Sequence, residues 1–468
     1  MNKKHVLIFL LAALGGCSLA PTYQRPAPSV PVAWPDSAKS AGTRVMPDWK
    51  VYFPDPRLQA LIAAALENNS DMRIATARIA EARAQYGIQQ ANRLPNFNLN
   101  ASRTASFSPA STNFFPVPYE AQRYDVNASL VSFELDFWGR VSSLNAAAKA
   151  NYLSTEAAER AFRLSLIADV SNAYLSVLEL GEAGKVATDN TKGRSEVRDL
   201  TSRRRDLGVS SDLDVLIAEG AYQTALSEEA SLQQQKAAAE NLLTQLVGQI
   251  PANLPAGRNL GGQGITPDLI AGLPGDVLLQ RPDVEAAEQQ LIASNANIGA
   301  ARAAFLPRIN LTGSFGTASR ELSGLFGPAS NAWSFQPMLT QPLFDAGLNK
   351  ANLDVAKARK VIAVAQYEKT IQQAFREVAD LLNARDSLSA QLAAQQANAK
   401  SQKQRLKLVE ARYRAGIANN LELLDAERDA DTATQAELQI MLAQLTAATK
   451  LYSALAGDTA VQAGPSRQ

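Results

Sequence analysis

The sequence predicts an internally duplicated α+β membrane protein, with long α-helices alternating with two β-hairpins whose four strands belong to a β-barrel. Three observations lead there. The chain matches itself at a domain-scale offset, each copy holds two stretches of two-residue alternation, and each copy holds a very long helix-forming run without proline.

The elements follow in chain order. Lys3 and Lys4 precede an apolar run from Val6 to Leu14, and small residues come next. This is the layout of a secretory signal. Nine residues are far short of the ~20 that span a bilayer as a helix. The run ends in Leu14-Gly15-Gly16-Cys17, which holds the only cysteine of 468 residues. Leu-Gly-Gly-Cys resembles a bacterial lipobox, so residues 1–16 are expected to be removed and Cys17 acylated. Two or more acyl chains anchor stably where one is marginal. A buried cysteine in an ordinary leader is the alternative. Ser18, where an aspartate would favour retention at the inner membrane, points to the outer membrane of a Gram-negative cell. Residues 17–56 are proline-rich and read as a lipid-anchored extended arm.

The duplication is gapless over its first part. Residues 71–100 pair with 283–312 at an offset of 212, so that Leu94-Pro95 falls on Leu306-Pro307. Further on the offset is 208: Gly139 falls on Gly347, and 205–220 on 413–428. Repeat one is placed at 57–248 and repeat two at 277–457. The segment between them, 249–276, has four prolines and six glycines. That density leaves no regular element, and it reads as a linker. Residues 458–468 read as a loose tail.

Within repeat one, Phe97, Leu99, Ala101, Ala105 and Phe107 alternate with Asn98, Asn100, Ser102, Thr104 and Ser106. Tyr124, Val126, Ala128 and Leu130 alternate with Asp125, Asn127 and Ser129. Repeat two repeats the pattern from Ile309 to Phe315 and from Trp333 to Thr340. Period two with one apolar face means strands. Eleven residues make roughly 36 Å, enough to cross an apolar band at a tilt. A soluble half-buried sheet would show the same alternation; the signal and the strand length favour a barrel. After Leu130 the apolar set moves to Val131, Phe133 and Leu135, which predicts a bulge near 130–131. Pro337 and Pro342 mark a bend or edge in the matching strand of repeat two.

Helices flank these hairpins. An early helix is expected at 71–94 and 283–306. Long helices are expected from Gly139 to about Asp206 and from Gly347 to about Arg414, each about 100 Å at 1.5 Å per residue. Turns at Gly208 and Gly416 lead into returning helices at 212–247 and 420–456. Helices of this length need partners to pack against, and a coiled-coil rod is the cautious alternative to a helical barrel.

Four strands cannot close on themselves in lipid, where unpaired backbone groups cost several kcal/mol each. Several chains must pool their strands. Two would give eight and three would give twelve; only the larger leaves a channel.

Composition excludes much chemistry. The whole chain carries 46 basic and 45 acidic residues, and loss of the signal leaves net −1. Nothing calls for nucleic acid. The single histidine, His5, leaves with the signal, which removes Ser-His-Asp and Cys-His systems and most transition-metal sites. No phosphate-binding G-x-x-x-x-G-K-[ST] loop occurs, so energy must come from a partner. No enzyme activity, metal or cofactor is expected beyond covalent lipid on Cys17.

The stretch LPGDVLLQRPDVEAAEQQLIASNANIGAARAAFLPRINLTGSFG (273–316), with SLVSFELDFWGRV, FREVADLL and ARYRAGIANNLELLDAERD, closely resembles the outer-membrane lipoprotein channels of resistance-nodulation-division efflux systems, the OprM type of the TolC superfamily. The resemblance covers essentially the whole mature chain. It implies a homotrimer with a twelve-stranded barrel in the outer membrane, a helical barrel across the periplasm and a mixed equatorial domain. It implies two partners, a periplasmic adaptor (membrane fusion protein) and a proton-driven inner-membrane pump. The function implied is a passive exit duct for drugs or other toxic solutes. Arg412, Tyr413, Leu421 and Asp425 match the gate segment of such channels. Leu421 and Asp425 lie four apart, on one helix face, and Asp425 could equally be an ordinary solvated residue. Gly208, Val209, Ser210, Gly416 and Ile417 are the expected hairpin tips and adaptor contacts. A non-conducting lipoprotein spacer would need no alternating strands, and a diffusion porin would need no 100 Å helices. A type I secretion-like export channel is the remaining alternative.

Overall fold

A computed structural model of the chain describes residues 18–27, 30, 31, 34, 47–112, 117–266 and 278–455. The signal 1–16, Cys17, part of the linker (267–277) and the tail 458–468 lie outside the described residues. In order, the elements are α1 (Trp49–Tyr52), α2 (Pro56–Asn68), α3 (Ser70–Ala91), β1 (Phe97–Ser108), β2 (Tyr119–Leu135), α4 (Arg140–Asp206) and α5 (Asp212–Val247), then α6 (Pro282–Ala303), β3 (Arg308–Ser319), β4 (Asn331–Thr340), α7 (Leu348–Arg414) and α8 (Asn420–Ala454). No described helix is long and apolar enough to cross a membrane. The chain divides into two compact units, one drawn from Met1–Ala27, Arg78–Glu156 and Ala286–Glu368, the other from Pro28–Ala77, Ala157–Glu285 and Lys369–Gln468.

The first unit carries the sheet. Its strands are antiparallel in the order β1-β2-β3-β4, which leaves β1 and β4 as edges. The register aligns the apolar sets across all four strands. Leu99 faces Ala128, Ala128 faces Phe315, and Phe315 faces Trp333. The polar sets line the other face, where Asn100 donates to Ser129 (2.7 Å) and the hydroxyls of Ser314 and Ser334 meet at 2.8 Å. The register of β2 against β3 shifts between Leu130 and Phe133, with Ser132 at φ +50°. The extra residue returns Phe133 and Leu135 to the face of Leu130, opposite Leu311 and Ile309. The phase change in the sequence is therefore a bulge. The apolar face is bare: Leu99 is 80% exposed, Phe315 71% and Trp333 76%. An apolar face of that extent needs a cover other than water.

In the same unit, residues 18–25 run along α6 from its C-terminal end. Arg302 donates to the Leu19 carbonyl (3.1 Å) and Asn295 to that of Pro21 (2.6 Å). Arg25 forks onto Glu288 (2.7 and 2.8 Å), which also accepts from Tyr23 (2.9 Å). At Gly299 a Cβ would stand 2.8 Å from Ala20 and 2.7 Å from the Ser143 hydroxyl, so the arm reaches the helix only because no side chain is there. The middle of α6 faces α4 through Ala293 and Ala296 against Ala147 and Ala150.

In the second unit a buried carboxylate joins distant segments. Asp55 caps α2 ahead of Pro56 and accepts from the backbone N–H groups of Arg57 (2.8 Å) and Arg258 (2.9 Å), the Tyr174 hydroxyl (3.0 Å) and Gln263 (2.9 Å). Burial works to raise its pKa, but these four donors hold it below the usual carboxylate range. Three local features depart from the sequence reading. A separate 13-residue helix, α2 (Pro56–Asn68), precedes the early helix expected at 71–94. The arm ends in a helical turn, α1, capped by Asp48 and buried through Trp49 and Tyr52. The linker holds a 3₁₀ turn at Leu260–Gly262. Elements of three or four residues are too short to show a period.

Candidate gate at the hairpin tips

The two hairpin tips, both in the second unit, are built alike. At each, a glycine with φ +73° ends the long helix. Gly208 N–H donates to the Arg205 carbonyl (2.8 Å) and Val209 N–H to that of Arg204 (2.8 Å); Gly416 donates to Tyr413 (3.0 Å) and Ile417 to Arg412 (2.9 Å). This is a Schellman closure, which needs a residue free to adopt the left-handed conformation. The returning helices start on Ser211 and Asn419, whose side chains accept from Asp214 N–H (3.1 Å) and Glu422 N–H (2.8 Å). Ser211 and Asp214 complete a capping box. Capped at both ends, each tip is a defined turn that presents Val209 (75% exposed) or Ile417 (70%) at its apex, beside Ser210 at the first tip.

The expected gate residues divide by environment. Tyr413 is buried with Val409, Ala418, Leu423 and Ala426, and Val197 of α4 packs on this cluster. Its hydroxyl lies 3.4 Å from that of Thr201, and the Arg204 guanidinium sits over its ring at 4.9 Å. Tyr413 thus ties α7 to α4. Arg412 pairs with Glu422 at 2.6 Å, bridging α7 to α8 within its own hairpin. Leu421 is 65% exposed. Asp425, half-buried, has Arg428 at 3.3 Å on the next helical turn.

Sequence reasoning passed over Thr201, Arg204 and Glu422. The offset of 208 lays Arg204 on Arg412, so the repeat itself held the clue. It also passed over a carboxylate cluster within two turns of Asp425. Asn190 donates to Asp431 (2.6 Å), and Arg194 lies 3.8 Å from the same oxygen. Oε2 of Glu427 is buried with no hydrogen-bond partner among the described residues. Burial pushes Glu427 up to about 7; Arg194 opposes this, while Asp431 and Glu410 add to it. Burial likewise pushes Asp431 up to about 6, opposed by Arg194 and reinforced by Glu228. No group of three or more potential metal-binding His, Cys, Asp or Glu side chains occurs among the described residues.

The chain belongs to the outer membrane efflux protein family, whose model matches it twice, at residues 61–249 and 273–457. The chain is 43% identical over 424 residues to the outer membrane protein OprJ of Pseudomonas aeruginosa, covering 90% of this chain and 88% of that one. It is 40% identical to the toluene efflux pump outer membrane protein TtgC of Pseudomonas putida, covering 97% and 95%. Its fold superposes on the open state of the MtrE outer membrane channel of Neisseria gonorrhoeae with a TM-score of 0.85, 38% identity, and coverage of 94% and 98%. The family is one of efflux channels rather than a class of enzymes.

Proposed function

We propose that this protein is the outer-membrane exit duct of a tripartite efflux pump, a passive channel for drugs or other toxic small solutes, gated at its periplasmic tip. The observation that carries this is the sheet. Four strands present a largely apolar face, interrupted at Arg103, and two open edges, on a chain of a family with relatives named as efflux pump outer membrane proteins. Such a sheet is stable in lipid only when neighbouring chains close it; three chains make twelve strands. The helical hairpins extend into the periplasm in this reading. Their apices, Gly208, Val209, Ser210, Gly416 and Ile417, meet a periplasmic adaptor that links the duct to an inner-membrane pump. Arg412 and Tyr413 hold the tips closed, and Leu421 and Asp425 line the constriction. Lipid on Cys17 is an accessory anchor.

Deletion of the gene, with complementation, tests the function. Cells lacking the protein are expected to accumulate a fluorescent efflux substrate and regain normal levels on complementation. Crosslinking in cells followed by mass spectrometry is expected to recover an adaptor and an inner-membrane pump. Unchanged accumulation across several solutes, with no such partners recovered, would overturn the reading.

A further inference from the structure

The duplication gives the two hairpins the same pairing register before the bulge. Leu99 pairs with Ala128, and Leu311 with Pro337; Arg103 pairs with Tyr124, and Phe315 with Trp333. First strands thus correspond at an offset of 212, and second strands, before the bulge, at 209. Inside one chain the second strand of hairpin one meets the first strand of hairpin two, with Leu130 opposite Gly313 and Ala128 opposite Phe315. β4 and β1 are the corresponding strands left at the edges. From this we infer the register of the seam between subunits: Leu339, Pro337, Phe335 and Trp333 of one chain pair with Ala101, Arg103, Ala105 and Phe107 of the next.

This deepens the trimeric-channel reading and rests on it. Two further observations agree with it. The register keeps faces matched, since Trp333, Phe335 and Leu339 meet the apolar set of β1. The helices beside the sheet repeat the relationship. Ala293 and Ala296 of α6 are buried against Ala147 and Ala150 of α4. Their counterparts, Glu81 and Ala84 on α3 and Val355 and Ala358 on α7, are all exposed in one chain. The same repeat rule brings α3 of one subunit against α7 of its neighbour.

The seam also lacks a rung. Ala318 N–H donates to the Ser330 carbonyl at 2.8 Å, which makes that pair a hydrogen-bonded one. Alternation along an antiparallel ladder then turns the backbone groups of Trp333, Phe335, Pro337 and Leu339 outward, toward the next chain. Pro337 has no N–H to give, so the carbonyl of Arg103 in the adjoining subunit receives no ladder bond there. That explains why a proline is tolerated inside β4: it interrupts the seam and leaves the ladder to β3 whole.

Four cysteine positions test the register, all on the polar face and in pairs that exchange no backbone bonds, where Cα atoms approach to about 4.5 Å. That spacing suits a disulfide. Ser102→Cys with Met338→Cys, and Thr104→Cys with Gln336→Cys, match the assigned register. Ser102→Cys with Gln336→Cys, and Thr104→Cys with Met338→Cys, are slipped by two residues, to about 7–8 Å. Oxidation of each full-length pair in outer membranes, read on non-reducing gels beside the single-cysteine proteins, is expected to give covalent dimers and trimers for both matched pairs and monomer for both slipped ones. Ladders from slipped pairs with none from matched pairs would overturn the register and keep the trimer. A covalent dimer as the end product, or no ladder in any pair with a native mass for the parent that is not trimeric, would overturn the trimer itself.

Discussion

The guanidinium of Arg204, at the end of the first long helix, lies 4.9 Å over the ring of Tyr413, near the end of the second. Together with the 3.4 Å approach of Thr201 and Tyr413 hydroxyls, it fastens one hairpin to the other close to their tips. A cation over an aromatic ring contributes about 0.5–2 kcal/mol, and a hydrogen bond about 0.5–1.5 kcal/mol. Each is small enough to yield to a partner, and together they are large enough to bias the closed state proposed above.

Tyr413→Phe removes the hydroxyl contact and keeps the ring, whereas Arg412→Ser breaks the 2.6 Å pair with Glu422. The double variant is expected to raise single-channel conductance in planar bilayers well above the parent. Adding Arg204→Ala should raise the open fraction further. Parental conductance in both would place the constriction elsewhere.

Asp425 tests the charge at the proposed constriction. Asp425→Ala is expected to weaken cation preference and block by multivalent cations. Arg428 lies 3.3 Å from the carboxylate and offsets its charge, so Arg428→Ala should strengthen both. Opposite shifts in reversal potential for the two variants are the expected signature; identical selectivity in all three proteins would return Asp425 to the ordinary helix surface.

Most of the architecture was legible because it rests on period. Alternation from Phe97 to Phe107 and the phase change at Leu130 each have a physical cause, a pleat and a bulge, that appears in one dimension. Gly208 and Gly416 marked the tips because few other residues tolerate a Schellman turn. The clasp was half legible. Arg412 and Tyr413 were named, but Thr201 and Arg204 lie more than two hundred residues away, and no local pattern pairs them with Tyr413. Glu427 and Asp431 look like members of a solvated face, and only the crossing of α4, α5, α7 and α8 buries them. Short elements such as α1 owe their shape to burial of Trp49 and Tyr52, which a four-residue window cannot show.

The sheet's two faces give a paired test. Arginine at Leu99 or Leu311, on the apolar face, is expected to cost about 2–4 kcal/mol near the bilayer midplane. Arginine at Asn100 or Thr312, on the polar face, should be tolerated. Thermal stability of the trimer in outer membranes reads the difference, and equal damage on both faces would argue for a sheet packed on both sides.

Intact mass of the purified protein tests the anchor. It should show loss of residues 1–16 and acyl additions at Cys17. Cys17→Ser with a cleavable signal is expected to keep its membrane association, because the strands hold the chain; release into the soluble fraction would mean that they do not span the bilayer.

The pH dependence of the helical hairpins follows from Glu427 and Asp431. Their ordinary values are 4.5 and 3.8, and in the folded chain they stand at about 7 and about 6. Between each pair of values the native state holds a proton that the unfolded chain has released. Stability therefore falls as pH rises through that window, and the full penalty is present above the upper value. Arg194 offsets both groups. Glu427→Gln mimics the protonated acid at every pH and removes its share of the penalty. Helix unfolding followed by circular dichroism at about pH 5.5 and about pH 8 should show a fall in Tm for the parent and a smaller one for Glu427→Gln, with the variant more stable at the higher pH. Arg194→Ala should act in the opposite direction, lowering Tm most at the higher pH, where both carboxylates are charged. A parent and a Glu427→Gln variant that lose the same Tm between the two conditions would show that Glu427 is solvated and titrates normally. The hairpins' pH response would then come from other groups.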